Sequence, residues 1–395
     1  MYNLRLLRAK ISVSRASRER VESGRERVFL RSARAYIATP RTQRDIVKSI
    51  DHCTNTMTVE ARLRGAAFLT LLITTALVGS VFLLLPPAVV LLPHGLKALY
   101  ASYASRVAWW WFSCAAAAIE LIGGVRYEIS GDDLAKLKDA RVLVVCNHHC
   151  RLDWLYLWPL VARHGRCGAL HVTLKDSLRS APFFGWATQA FGFAFVSRKD
   201  RAGDLEVIRS SLSGRTPLWA LLFPEGTDLS ESNVAKSQQH GAALTPPIEW
   251  SRVLIPRSAG LTAAIAAVEP DAIYDVTIAY DNDGRPDEPS MLAGRFPRRV
   301  LVRVDRVARP PRDAKRWLFE RWALKEKRLA AGFAGEPSAP SHALAHVAVG
   351  VSIAAVACYA LCVDWRVRRF ALTSAALWVG VGKAGGLDTL LLRGT

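Results

Sequence analysis

A histidine and an aspartate, His148 and Asp153, stand in the stretch Cys146-Asn147-His148-His149-Cys150-Arg151-Leu152-Asp153-Trp154. The apolar β-branched run Val142-Leu143-Val144-Val145 precedes them and reads as a buried strand. Leu152-Asp153-Trp154-Leu155-Tyr156-Leu157-Trp158 follows as the start of an amphipathic helix. On such a strand-to-helix turn the imidazole can point outward while the carboxylate holds its far nitrogen. That is a general base with an orienting acid, two members of a triad without a third. A capped helix with a solvated histidine has the same spacing, and the turn alone leaves both readings open.

The elements that must position this pair form an α/β pattern. From Arg141 to about Arg309, strand-like runs alternate with helix-like ones. The expected strands are Arg141–Cys146, Phe193–Ser197, Leu218–Phe223, Val253–Ile255, Ile273–Tyr280 and Val300–Val304. Helices are expected over Leu152–Arg163, Asp204–Ser211 and Leu261–Ala267. Asp313 to Ala331 reads as a charged amphipathic helix, and Gly332 to Ser341 as a Gly/Pro/Ser linker.

The chain has 395 residues, enough for a sizeable core. It is 51% hydrophobic and 22% charged, so its apolar residues must be concentrated in segments. Ala66 to Leu85 is uncharged and about 20 residues long, enough to span a bilayer. Pro86-Pro87 is expected to break that helix. Val107 to Ile122 carries Trp109-Trp110-Trp111, which suits an interfacial or re-entrant helix anchored at the headgroups. Near the C-terminus, Ala343 to Val363 and Phe370 to Val381 form two apolar segments, either a hairpin dipping into the membrane or two spans. Whether the N-terminal helix returns to the side it came from is left open by the sequence. The expected organisation is a basic arm over 1–60, a membrane-embedded helical segment over 61–125, an α/β domain over 126–331, a linker over 332–342 and a membrane hairpin or spans over 343–395.

The net charge is +19, which suits an anionic partner. Apolar spans and the lack of any nucleic-acid motif turn that charge toward anionic membrane lipids rather than nucleic acid. The first 50 residues are rich in arginine, and Glu19, Glu22 and Glu26 weigh against an organelle transit peptide. A basic arm lying on anionic lipid is the preferred reading. The 7 cysteines show neither metal-ligand nor disulfide-framework spacing, so no zinc site is expected and a reducing compartment is.

Four blocks follow one another in order. The first is Asn147-His148-(x4)-Asp153. The second is Lys175-Asp176-Ser177-Leu178 with Pro182 and Gly185-Trp186, leading to Gly192-Phe193-Ala194-Phe195-Val196-Ser197-Arg198. The third is Phe223-Pro224-Glu225-Gly226-Thr227-Asp228, and the fourth Val253-Leu254-Ile255-Pro256-Arg257-Ser258-Ala259-Gly260. Each is weak alone; together, at these spacings, they closely resemble the glycerolipid (1-acylglycerol-3-phosphate, or lysophosphatidate) acyltransferase family over about 140–330. The first, third and fourth blocks, Ala272–Tyr280 and Arg316–Lys327 look like its lysocardiolipin branch. Departures are His149-Cys150, where that branch usually has Arg-Thr, and Leu261, where an aromatic is usual.

The resemblance implies a glycerol-3-phosphate acyltransferase-like fold, a mixed sheet flanked by helices, with N-terminal membrane helices and an apolar tail. It implies acyl transfer from acyl-CoA, as co-substrate, to a lysophospholipid acceptor, with no metal or redox cofactor. An alcohol is a poor nucleophile at neutral pH, so a base must take its proton as attack begins. His148 suits that role, and Asp153 would fix its tautomer. The chain has no Gly-x-Ser-x-Gly elbow that would suggest a serine nucleophile. Backbone amides near the turn are the expected oxyanion donors. Arg198 is the candidate grip on the acceptor's phosphate, because a guanidinium pairs with phosphate bidentately. The resemblance gives Glu225 and Gly226 a role in acceptor binding, which a tight strand-to-loop turn would also explain. Lys175 and Arg257 could add positive charge for the acceptor's phosphate or for the coenzyme's phosphates. His149 is expected to be exposed rather than the base, and an acyl-Cys150 route is disfavoured.

The leading expectation is an enzyme making phosphatidate from 1-acyl-sn-glycerol 3-phosphate, with lysocardiolipin or lysophosphatidylinositol remodelling as the alternative. A catalytically silent lipid-binding membrane protein is the competing class, and the intact His148, Asp153, Arg198 and Glu225 argue against it. The endoplasmic reticulum is the expected membrane, with a mitochondrial or plastid membrane as the alternative.

Overall fold

The computed structural model describes residues 40–132, 139–281, 286–341 and 344–392. The chain divides into two units, Met1–Glu60 and Ala61–Thr395. Most of the basic N-terminal arm, up to residue 39, lies outside the described residues; from Pro40 the chain is helical.

The second unit is built on a sheet of β1 (Arg126–Gly131), β2 (Arg141–Cys146), β3 (Leu170–Lys175), β4 (Ala194–Val196), β5 (Leu218–Leu222), β6 (Ala272–Tyr280), β7 (Arg299–Val307) and β8 (Glu336–Pro337). Their order across the sheet is β4-β3-β5-β2-β6-β7-β1-β8. The five strands from β4 to β6 run parallel, so their C-terminal ends share one edge. β7 is antiparallel to β6, β1 is parallel to β7, and β8 is antiparallel to β1, which makes the sheet mixed.

Successive residues of β2 face opposite cores. Val142, Val144 and Cys146 join a cluster containing Phe112, Trp158 and Phe193. Leu143 and Val145 join one containing Ile208, Leu261, Leu318 and Trp322, from the helices Arg201–Leu212, Ser258–Val268 and Ala314–Ala331. Burial on both faces is why β2 and β5 read as unbroken apolar runs rather than alternating ones.

The structure departs from the sequence expectations in several places. Val253–Ile255 is not a strand. Its backbone N–H groups donate to side chains instead of a neighbouring strand: Val253 to Glu326, Leu254 to Glu225 and Ile255 to Ser237. β1 and β3 were not expected, and the linker contributes β8 at the sheet edge. The helix expected over Leu152–Arg163 is two short ones, Asp153–Tyr156 and Trp158–Arg163. Pro159 has no N–H to continue the first and sits in the opening turn of the second, where none is needed.

Pro86-Pro87 does not end the N-terminal apolar helix, which runs Val59–Leu91 and is long and apolar enough to cross a membrane. Val78–Leu84 widens into a π-helical turn, and α-helix resumes at Leu85–Leu91. Pro87 cannot donate to the Leu83 carbonyl, and the Tyr103 hydroxyl donates to it instead at 3.1 Å. The tryptophan run lies on a longer helix, Lys97–Leu121, whose second half is buried. Trp111 is in the core, donating to Thr75 Oγ1 at 3.1 Å, so it is not a headgroup anchor; Trp109 is exposed. At the C-terminus, helices Leu344–Val363 and Trp365–Lys383 meet at Asp364, whose side chain caps the second. Within the first, His346–Val363 is also long and apolar enough to span, and its side chains are mostly exposed.

Asp139, at the entry to β2, accepts both Nε and a terminal nitrogen of Arg306 at 2.7 Å, and the Tyr274 hydroxyl at 2.9 Å. The Arg306 bonds hold its carboxyl below the usual carboxylate range. An acid whose folded value is lowered stabilises the fold above its unfolded value, near 4, and that contribution is lost as pH falls through the folded value. Asp139→Ala is therefore expected to cost about 1 kcal/mol at pH 7, after allowing for partial exposure. Denaturant melts at pH 7 and at pH 3 should show the gap closing in acid; a gap independent of pH would show the pair to be inert.

Candidate active site

The chain leaves the C-terminal end of β2 at Asn147. This side chain acts as one more strand residue: its amide donates to the Ile278 carbonyl at 3.1 Å and its oxygen accepts the Ile278 N–H at 2.9 Å. Asn147 thus holds the end of β2 against β6. The backbone of His148 is pinned on the other side, by segments following β5. Its N–H donates to Glu225 Oε1 at 3.1 Å, and its carbonyl accepts the Leu229 N–H at 3.0 Å. Its ring stacks on Phe223, centroids 4.4 Å apart.

Nδ1 of His148 lies 2.9 Å from Asp153 Oδ2. Asp153 is fully buried, while the His148 side chain keeps 15% of its surface exposed. An ionised carboxylate only accepts, so Nδ1 carries the proton and the lone pair falls on Nε2. The carboxylate also accepts the Cys150 N–H at 2.9 Å, the Cys150 thiol at 3.3 Å and the Tyr280 hydroxyl at 2.6 Å. Such an imidazole can take a proton from a hydroxyl placed at Nε2.

Glu225 is buried, and among the described residues no cation pairs with its carboxyl group. Three protein donors take it up: the N–H of His148, the N–H of Leu254 at 3.0 Å and the Trp322 indole at 3.1 Å. Burial pushes this carboxyl up to about 8, against the pull of those donors. Gly226 has φ +74°, a conformation open to glycine, and its N–H closes a turn on the Phe223 carbonyl at 3.0 Å. Arg257 is exposed, and its backbone N–H donates to the Pro224 carbonyl at 2.8 Å, tying the fourth block to the third.

A family model described as Acyltransferase matches residues 126–281. The chain is 35% identical to lysocardiolipin acyltransferase 1 of Danio rerio over 280 residues, 67% of this chain and 70% of that protein. It is 32% identical to a probable 1-acyl-sn-glycerol-3-phosphate acyltransferase 5 of Arabidopsis thaliana over 68% of this chain and 72% of that one. It is also 30% identical to lysophosphatidylinositol acyltransferase 10 of Caenorhabditis elegans over 56% of this chain and 59% of that one. The chain belongs to the glycerolipid acyltransferase family. It is an acyltransferase.

The remaining candidate residues of the acyltransferase are spread along the same sheet edge. Lys175 ends β3 and is exposed. Arg198 follows β4, exposed, with φ +62°; its N–H and that of Ser197 donate to Asp204 at 2.7 and 2.6 Å. β3 and β4 lie two and three strands from β2, about 10 and 14 Å across the sheet. Neither side chain makes an ion pair among the described residues. His148, Asp153, Glu225, Gly226 and Arg257 therefore converge at the β2–β5 junction, while Lys175 and Arg198 stand apart along the edge.

His149 is half-buried rather than exposed, its ring 5.5 Å from that of Tyr280. Cys150 is buried, and burial and the Asp153 charge push its thiol above the ordinary range, against a thiolate nucleophile. The N–H groups of His148 and Cys150 are committed to Glu225 and Asp153, so neither is free to hold an oxyanion. Tyr280 and Trp322 were not among the residues expected at the site. They come from chain segments far away in sequence, and no local spacing marks them.

Glu225 supplies a pH test. A carboxyl whose folded value is raised contributes stability that is present below its unfolded value, near 4.3, and is lost as pH rises through about 8. Glu225→Gln cannot ionise, but it sets one amide nitrogen against a donor, which costs about 1–3 kcal/mol. Thermal melts should show the variant less stable than wild type at pH 5.5, with the deficit shrinking by pH 8.5. A deficit that stays constant would place the Glu225 proton loss outside this range.

Proposed function

We propose that this acyltransferase moves an acyl group from acyl-CoA to the free hydroxyl of a lysophospholipid, most simply converting 1-acyl-sn-glycerol 3-phosphate to phosphatidate. His148 Nε2 accepts the hydroxyl proton as the oxygen attacks the thioester carbonyl. Asp153 holds the imidazole in the productive tautomer and stabilises the imidazolium. The tetrahedral intermediate then expels the coenzyme A thiolate, which takes the proton from His148. The ester C–O bond is made, the thioester C–S bond is broken, and the base is restored. The observation carrying this reading is the 2.9 Å contact between His148 and a fully buried carboxylate at the C-terminal edge of a parallel sheet. Ligands gather at that edge in open α/β sheets.

Lys175, Arg198 and Arg257 carry the positive charge that edge offers a phosphate, and Arg198 is the residue suited to grip it. Glu225 and Gly226 shape the acceptor's side of the site through the backbone they hold. The two long apolar helices and the +19 net charge support an enzyme resident in a membrane with anionic lipid, the endoplasmic reticulum in the first instance. Remodelling of lysocardiolipin or lysophosphatidylinositol is the second reading. The names of the Danio rerio and Caenorhabditis elegans relatives favour it.

The test is thiol release from oleoyl-CoA by membranes carrying the full chain, with lysophosphatidate, lysocardiolipin and lysophosphatidylinositol compared as acceptors. Lysophosphatidate is expected to give the highest rate, and His148→Ala to lower it by about 10²–10⁴-fold. A preference for lysocardiolipin or lysophosphatidylinositol would select the second reading. Equal rates from the variant and wild type would remove His148 as the base. No release with any acceptor would leave a lipid-binding protein that has lost its chemistry.

A further inference from the structure

The last residue of β6 reaches the site from a strand most of whose apolar residues lie in the core. Tyr280 is buried, and its hydroxyl lies 2.6 Å from Asp153 Oδ1, the oxygen not facing His148. Asp153 Oδ2 serves His148 Nδ1 and the Cys150 N–H, both at 2.9 Å. The two carboxylate oxygens therefore have distinct partners, and the phenol sets the plane of the group. Asn147 makes this possible by clamping the end of β2 to Ile278, two residues before Tyr280. The Tyr280 ring is held between those of His149 and Tyr156, at 5.5 Å from each, which leaves the hydroxyl little freedom.

We propose that Tyr280 is a positioning residue of this acyltransferase, acting on His148 through Asp153 as the far end of a Tyr–Asp–His chain. The inference rests on the reading of His148 as the base. A phenolic O–H draws carboxylate charge toward Oδ1 and away from the oxygen facing the imidazole. It thereby tempers the hold of Asp153 on the His148 proton and keeps the carboxylate from turning off Nδ1. Other titratable groups face the pair. Cys150 comes from the same turn, with its thiol 3.3 Å from Asp153 Oδ1 and 3.6 Å from the Tyr280 hydroxyl. Tyr156 comes from the following helix and feels the Asp153 charge. Glu225 bonds the His148 backbone from the β5 side, and Arg151 is 3.8 Å from Asp228 at the exposed rim. Tyr280 alone among the side chains of the other strands donates to the carboxylate that holds the base, among the described residues.

The experiment compares wild type, Tyr280→Phe and His148→Ala, as full chains in membranes, for kcat, KM and the pH dependence of oleoyl-CoA thiol release, with melts as a check on folding. Phe keeps the ring and loses the donor. Tyr280→Phe is expected to lower kcat about tenfold, a part of what a positioned base contributes, with KM for both substrates within about twofold. With more charge left on Oδ2, His148 keeps its proton to higher pH, so the acid limb of the pH–rate profile should rise by about half a unit or more. 3-Fluorotyrosine at position 280 preserves the hydroxyl and makes it a stronger donor, so it should move the limb the opposite way; it also serves as the test where the Phe variant does not fold. A Phe variant with the wild-type limb, or a fluorotyrosine form whose limb does not move, overturns the proposal, whatever happens to kcat. Activity retained by His148→Ala would instead remove the reading on which the proposal stands.

Discussion

A carboxylate with no exposed surface is the constraint on which this site depends. Water would give Asp153 several hydrogen bonds, and burial without replacements would cost several kcal/mol or drive the group to protonate. The protein replaces them with a ring nitrogen, a backbone N–H, a thiol and a phenol. Three of these come from within the turn itself, so the turn supplies most of what its aspartate needs. The phenol has to come from β6, and it can arrive there only if β2 and β6 stay in register. Asn147 enforces that register by pairing with both backbone groups of Ile278. The Asn-His-x4-Asp motif is therefore also a packing device.

A second buried carboxylate organises the other side of the turn. Glu225 joins three segments that have no sheet pairing with one another: the His148 turn, the Val253–Ile255 loop and the helix Ala314–Ala331. That helix is in turn anchored over the sheet by charge. Lys325, with no exposed surface, lies 2.7 Å from Asp275 on β6, and Arg321 bridges Asp275 to Asp305 on β7. A buried pair of this kind adds little net stability but is costly to break by halves. It fixes where Trp322 stands, and through Trp322 where Glu225 points. The helix thus acts on the site from a distance, through one indole N–H.

How far the sequence reached follows from the range of each interaction. His148 and Asp153 were legible because a turn of only four intervening residues brings them together, and β2 and β5 because strands buried on both faces are apolar throughout. Val253–Ile255 was misread because an apolar β-branched run says nothing about where its N–H groups go; here they go to Glu326, Glu225 and Ser237. Pro86-Pro87 looked like a helix stop because the hydroxyl that restores the Leu83 carbonyl's partner comes from Tyr103, on another helix. Tyr280 reads as the end of a strand, since nothing near it in sequence marks a bond to Asp153. Long-range partners of single polar atoms are what pattern reading omits.

The one departure inside the motif fits the same account. In the branch this chain resembles, His149-Cys150 is usually Arg-Thr. What the turn asks of residue 150 is a backbone N–H on Asp153 Oδ2, which any residue but proline supplies, and a small donor beside Oδ1. Burial keeps the Cys150 thiol protonated, so it can still donate, more weakly than a hydroxyl would. With the weaker donor at 3.3 Å, more of the task of balancing Asp153 falls to the phenol at 2.6 Å. The His148–Asp153 contact forms with cysteine at position 150, and of the two side-chain donors to Oδ1 the phenol stands the nearer.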